Sequence, residues 1–171
     1  TAWLVTMCRF PGRKLFEWLL LLPLAIPTYV IAYAYTDLLE YSGLIQELLR
    51  GIFGWQKEDY WFPQIRSTGG AIFVMGLVLY PYVYLLARSA FLEQSVNLLE
   101  ASQVLGRGPW LTFFSVSLPG ARPAIVVGLA LVLMETLNDY GTVSFFSVPT
   151  LTAGLMDVWL GLGSLPAGAQ I

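Results

Sequence analysis

Three long apolar runs that carry almost no charge constrain this sequence most strongly. Trp18–Thr36 and Gly70–Ala87 contain no charged residue, and Pro123–Leu137 contains only Glu135. A helix needs about 20 predominantly apolar residues to cross a hydrocarbon core about 30 Å thick. Because the runs are continuous and do not alternate with polar residues, they favour membrane-spanning helices over the strands of a barrel. The predicted spans cover residues at about 15–39, 69–91 and 120–140.

The composition excludes several classes of protein. Charged residues make up 12% of the chain and apolar residues 57%, whereas soluble domains carry roughly 25% charged residues. The chain has no basic cluster of the kind that binds nucleic acid. It has no histidine, and Cys8 is its one cysteine, so we expect no internal disulfide, no zinc or haem site and no bound metal.

The ends and the prolines of the apolar runs give two further expectations. Pro23, Pro27 and Pro81 should kink their helices, which neighbouring helices in a membrane tolerate. Residues 1–7 and 158–171 are interpreted as partial spans, and no initiator methionine or signal peptide is visible. We therefore expect a fragment of a longer polytopic protein.

Basic residues predict the orientation in the membrane. They concentrate in the first loop and in the third loop, residues 92–119 with its flanks, and the positive-inside rule places both loops in the cytoplasm. The loop at residues 40–67 then faces outward. Its Trp55, Tyr60 and Trp61 suit either the aromatic belt at the membrane surface or contact with a ligand.

The third loop has the clearest internal organisation. Residue preferences over Glu93–Leu105 predict a short helix, with Gly106 as a left-handed stop. Pro109 suits the first position of a second short helix, which Leu118-Pro119 is expected to end. The alternative is an amphipathic connector lying on the membrane surface.

The same loop resembles the signature of permeases from binding-protein-dependent ABC importers. That signature is Glu-Ala-Ala, three residues, Gly, nine residues and Ile-x-Leu-Pro. This sequence has Glu100-Ala101-Ser102, then Gly106, then Val116-Ser117-Leu118-Pro119, with both spacings kept. Ser102 and Val116 depart from the pattern conservatively. The resemblance implies an all-α transmembrane bundle of the ABC importer permease type with a cytoplasmic coupling-helix loop.

The resemblance also implies partners and a mechanism. The coupling loop would dock into an ATPase dimer that binds the ATP, an external binding protein would deliver substrate, and a second permease half or copy would complete the path. The residues assigned to ATPase coupling are Glu100, Ala101, Ser102, Gly106, Leu118 and Pro119. Small side chains at Ala101 and Ser102 would let the helix approach the partner closely. The chain would be an inner-membrane protein without catalytic residues or a cofactor of its own.

Ionisable groups at the end of the third span are candidates for the translocation path, because such groups are costly inside a membrane. Glu135, Asn138 and Asp139 fall on one helical face. They either line an outer gate for a cationic substrate or cap the helix end. Tyrosines in the first two spans, such as Tyr29, Tyr33 and Tyr84, similarly suit either an iron path or packing between helices.

Segments such as LYPYVYLLARSAFLEQS and RPAIVVGLALVLMETLNDYGTV resemble permeases of ferric iron importers. The resemblance extends from Leu15 to Gly163 and implies the first half of a duplicated permease for ferric iron. Permeases for thiamine, polyamines or oxyanions share the loop and remain alternatives. A secondary transporter without an ATPase is a more distant one, and a membrane-embedded enzyme has no catalytic group to use here.

Overall fold

The computed structural model describes residues 1–56, 59–161, 163 and 166. All regular structure within these residues is helical, which confirms the predicted fold class. A 3₁₀ turn covers Leu22–Ala25, and π-helical segments cover Phe113–Ser117 and Asp157–Gly161. The α-helices are α1 (Ala2–Met7), α2 (Arg13–Leu19), α3 (Thr28–Leu39), α4 (Leu44–Phe53), α5 (Thr68–Leu92), α6 (Val96–Val104), α7 (Pro109–Thr112), α8 (Leu118–Asn138), α9 (Gly141–Phe145) and α10 (Leu151–Met156).

Two of the described helices are long and apolar enough to cross a membrane. They are Thr68–Leu92 and the run Pro109–Asn138, which joins α7, the π-helical segment and α8. A third candidate is the pair Arg13–Ala25 and Thr28–Phe53, which meets the same test of length and composition only when both helices are counted as one broken span. The helix α5 continues past Pro81, whose side chain is fully buried.

The first predicted span differs from a single kinked helix. The helix α2 ends at Leu19, a 3₁₀ turn contains Pro23, and α3 begins only after Pro27. Proline lacks an amide donor and its ring clashes with the preceding turn. Two prolines four residues apart therefore end one helix and delay the start of the next, where the sequence predicted a single kinked helix.

The second predicted loop contains a helix that the sequence reading missed. The helix α4 begins after Gly43 and ends at Gly54, which has a left-handed backbone (φ 66°). Hydrogen bonds from Gln46 connect α4 to the neighbouring chain. Gln46 donates to the Leu39 carbonyl at 2.8 Å and accepts from the Tyr60 hydroxyl at 2.8 Å. Apolar residues occupy its exposed side, including Leu48 and Ile52.

The chain forms two compact units, 1–24 with 79–134 and 25–78 with 135–171. The core of the first unit gathers small and aromatic side chains from α1, α5 and α8: Ala2, Tyr84, Ala87, Phe91 and Ala121. Helices α5 and α8 approach closely there, since a Cβ placed on Gly128 would lie 2.8 Å from the Val83 Cα. Small residues at such crossings let helix backbones pack in a membrane.

The second unit has a core of its own. Its buried apolar residues come from α3, from α5 and the segment before it, and from the residue that follows α9: Ala32, Ile65, Ala71, Val74, Val78 and Phe146. Glu40 and Arg66 form an ion pair at 2.7 Å on its surface. The Arg66 guanidinium also lies 5.1 Å from the centre of the Phe145 ring.

Candidate functional site: the coupling loop and the end of the third span

The helix α6 ends as the sequence predicts. Gly106 has a left-handed backbone (φ 77°) and donates its N–H to the Gln103 carbonyl at 2.9 Å. The next N–H, of Arg107, donates to the Ser102 carbonyl at 3.2 Å. These two bonds form a Schellman motif, in which glycine is favoured because the left-handed conformation costs it little. The predicted stop at Gly106 is confirmed.

Ser102 lies inside the loop and does not face outward. Its hydroxyl is 3.0 Å from the Thr112 hydroxyl, and both residues are 5% exposed. Its small side chain therefore serves packing within the loop, and its expected role in close approach to a partner stays a prediction. A small residue is needed at this position because α6 packs against α7 there, and Glu100 and Ala101 remain exposed.

The second helix of the loop continues into the membrane span. Pro109 is its first residue after Gly108, and the chain passes through the π-helical segment into α8, with the Leu118 N–H donating to the Phe113 carbonyl. The prediction that Leu118-Pro119 ends this helix is wrong. Pro119 lies in the first turn of α8, directly after the π-helical segment, where a missing amide donor is tolerated.

The loop presents an apolar surface around its acidic residue. Val104 and Leu105 are 87% and 77% exposed, and Trp110 and Leu111 are also mostly exposed. Glu100 is exposed on the same short helix. Four exposed large apolar side chains on one short loop are typical of a site of protein or membrane contact.

Two further side-chain hydrogen bonds connect parts of the loop, one near its far end and one at its base. Arg107 donates to the Ser115 hydroxyl at 2.8 Å on the exposed side. The Gln94 amide donates to the Ser117 carbonyl at 2.6 Å, and Ser117 is completely buried. Sequence reasoning missed Gln94, because no local pattern indicates a contact across 23 positions.

Asp139 serves as a helix cap. One carboxylate oxygen accepts the N–H groups of Thr142 (2.8 Å) and Val143 (3.2 Å), and the other accepts the Thr142 hydroxyl (2.9 Å). The Asp139 carboxylate therefore accepts hydrogen bonds from the first turn of α9. This differs from the expected cap at the end of the third span, because Asp139 bonds to the following helix. The place of Asp139 on a translocation path stays a prediction. Glu135 and Asn138 are exposed at the end of α8.

The tyrosines of α3 lie against α9. Tyr29 is in contact range of Gly141, where a Cβ would lie 3.3 Å from the Tyr29 Cβ, and the Tyr33 ring lies 5.4 Å from the Phe145 ring. These contacts support the packing alternative. Among the described residues, no group of three His, Cys, Asp or Glu side chains is placed to hold a metal ion.

Comparison with known proteins places this geometry in a family. Residues 2–163 match the family model described as "Binding-protein-dependent transport system inner membrane component". The chain is 31% identical over 169 residues to the molybdenum transport system permease protein ModB of Escherichia coli, covering 98% of this chain and 71% of that protein.

Other relatives match over less of their length. The sulfate transport system permease protein CysT of Escherichia coli is 32% identical, with 85% of this chain and 50% of that protein covered. The putative 2-aminoethylphosphonate transport system permease protein PhnU of Salmonella typhimurium is 30% identical, with 80% and 47% covered. This chain thus spans about half the length of both proteins. The helical fold, the signature loop and these matches together show that the chain belongs to the family of binding-protein-dependent transport system inner membrane components.

Proposed function

We propose that this chain is the membrane-spanning permease part of an ATP-driven importer for a small oxyanion. The observation that carries the proposal is the similarity to permeases named for molybdenum and sulfate transport, which extends over 98% and 85% of the chain. The sequence reading favoured ferric iron and held oxyanions as an alternative. The relatives support the oxyanion alternative and give no support to iron.

The coupling loop supplies the link to ATP. In this proposal the exposed surface of α6, with Glu100, Val104 and Leu105, docks into a cytoplasmic ATPase dimer. Apolar side chains in the docked surface are removed from water, which favours association. Glu100 adds a charged hydrogen bond acceptor within that surface.

The continuous helical run Pro109–Asn138 then carries movement into the membrane. A displacement of α6 is passed to α7 through the buried Ser102–Thr112 contact and from there along α8. A second permease half or copy would form the other wall of the path. An external binding protein would deliver the oxyanion to the outer side, so the loop at residues 40–67 faces that protein or the outer membrane surface.

ATP-dependent uptake tests the proposal. The permease is reconstituted into liposomes with its ATPase and binding protein, and uptake of molybdate, sulfate and 2-aminoethylphosphonate is compared with uptake of ferric iron and thiamine. We expect uptake of at least one oxyanion and none of iron, with all uptake lost when the ATPase is replaced by a variant that cannot hydrolyse ATP. Iron-selective uptake would overturn the substrate class, and uptake that survives the inactive ATPase would indicate a secondary transporter.

A further inference from the structure

A side-chain amide joins the two ends of the coupling loop. Gln94 lies between the end of α5 at Leu92 and the start of α6 at Val96. Its Nε2 donates to the Ser117 carbonyl at 2.6 Å. Ser117 is the last residue of the π-helical segment that leads into α8. One hydrogen bond therefore connects the chain entering the loop with the chain leaving it.

The surroundings of this bond are closely fitted. A Cβ added to Gly120 would lie 3.1 Å from the Gln94 Nε2, so glycine leaves the room that the amide occupies. The Gln94 Oε1 and the Ser117 hydroxyl are buried and have no hydrogen bond partner among the described residues. The Gln94 amide is therefore bonded through its donor to the backbone directly before α8. Losing this bond removes a direct side-chain connection between the two ends of the loop.

We propose that Gln94 is a positioning residue that clamps the coupling loop to α8, so that both move as one body when the ATPase moves. The inference rests on the proposed coupling function. The Ser102–Thr112 contact already joins α6 to α7 near the far end of the loop. The Gln94–Ser117 bond makes a second connection at the base of the loop. Hydrogen bonds then join both ends of the loop to the helical run that continues into α8. Without the clamp, movement of α6 would be absorbed by bending at the π-helical segment, a type of element often found at functional sites.

The test uses the reconstituted importer and counts substrate molecules moved per ATP hydrolysed. Gln94→Met keeps the length of the side chain and removes the donor. Since one intramolecular hydrogen bond typically shifts an equilibrium by about fivefold, we expect transport per ATP to fall by about that factor. ATPase binding and basal hydrolysis should stay at wild-type levels.

Two further variants make the comparison specific. Ser115→Ala removes two exposed hydrogen bonds of the π-helical segment, from Arg107 and to the Leu111 carbonyl. Because exposed groups exchange these bonds for water, we expect transport per ATP to change by less than about twofold. Gln94→Glu keeps the shape and replaces the donor by an acceptor. It should uncouple as Gln94→Met does, and it serves as the test if the methionine variant fails to assemble.

A distance measurement separates the clamp from the proposed function. Spin labels are attached to cysteines at the exposed positions Gln103 and Arg122 in a Cys8→Ser background. We expect one narrow distance distribution for the wild type and a broad one for Gln94→Met. Transport per ATP that is unchanged in Gln94→Met overturns the proposal, whatever the distance distribution. If the wild type itself does not couple to an ATPase, the proposed function is wrong. In that case the spin-label distances still test Gln94: a distance distribution that stays narrow in Gln94→Met shows that Gln94 does not hold the loop against α8.

Discussion

The close crossing of α5 and α8 at Gly128 predicts a measurable loss of stability when one methyl group is added there. A Cβ on Gly128 would lie 2.8 Å from the Cα of Val83 and 3.4 Å from its Cγ2. The nearest of these atoms belongs to the backbone and cannot turn away by changing rotamer. Gly128→Ala therefore forces the two helices apart or shifts one along the other.

The expected cost follows from a matched comparison. Overpacking a well-packed site destabilises a protein by about 1–3 kcal/mol. Alanine also favours a helix over glycine by about 1 kcal/mol, which offsets part of that cost. Gly76→Ala in α5 gains the same helix preference, but a Cβ there meets nothing within 4 Å. The difference between the two variants is then the overpacking cost itself, about 1–3 kcal/mol.

Both variants are measured by reversible unfolding in the same detergent or lipid mixture. We expect Gly128→Ala to be less stable than Gly76→Ala by that difference. The Gly76→Ala variant itself should be as stable as the wild type or slightly more stable. If Gly128→Ala unfolds at the same free energy as Gly76→Ala, the close crossing of α5 and α8 is wrong.

Three further predictions concern local features. Gly106→Ala should lower the free energy of unfolding by about 1 kcal/mol because φ is 77° there, while Gly51→Ala, inside α4 with nothing within 4 Å of an added Cβ, should not destabilise the chain; equal effects would argue against the left-handed stop. Asp139→Ala should speed hydrogen exchange at the amides of Thr142 and Val143 and cost about 0.5–2 kcal/mol, whereas Asp139→Asn retains the cap; unchanged exchange would contradict the capping role. Glu17→Gln should cost less than about 1 kcal/mol, decreasing with added salt, because its contacts with Arg13 (3.4 Å) and Arg88 (3.5 Å) are partly exposed; a larger loss that ignores salt would show that the pair is effectively buried.

The long helices follow from the sequence because their determinants are local. Continuous apolar runs predict α5 and α8, since a membrane-embedded backbone must satisfy its own hydrogen bonds. Gly106 predicts a helix stop because few other residues adopt the left-handed conformation easily. The Asp139 cap also has a local signal: an aspartate at the end of one helix, with Thr142 three residues later.

Features that depend on distant contacts escaped the sequence reading. The inward position of Ser102 depends on Thr112, and the Gln94 bond depends on Ser117, which lies 23 residues away. The sequence predicted a kink where the structure has a complete break between α2 and α3. The sequence does not show whether neighbouring residues supply the hydrogen bonds that Pro23 and Pro27 remove. Ferric iron was expected from resemblance alone, and the described residues contain no group of three His, Cys, Asp or Glu side chains that could hold a metal ion.

Site-specific photo-crosslinking tests the central claim most directly, namely that the α6 region docks on an ATPase. A photoreactive amino acid replaces Val104, which is 87% exposed in the loop, or Trp61, which is 85% exposed in the loop at residues 40–67. We predict a covalent adduct with the ATPase from position 104 and none from position 61 in the assembled importer. An adduct from position 61, or no ATPase adduct from position 104 in a complex that transports, would contradict both the docking surface and the predicted orientation.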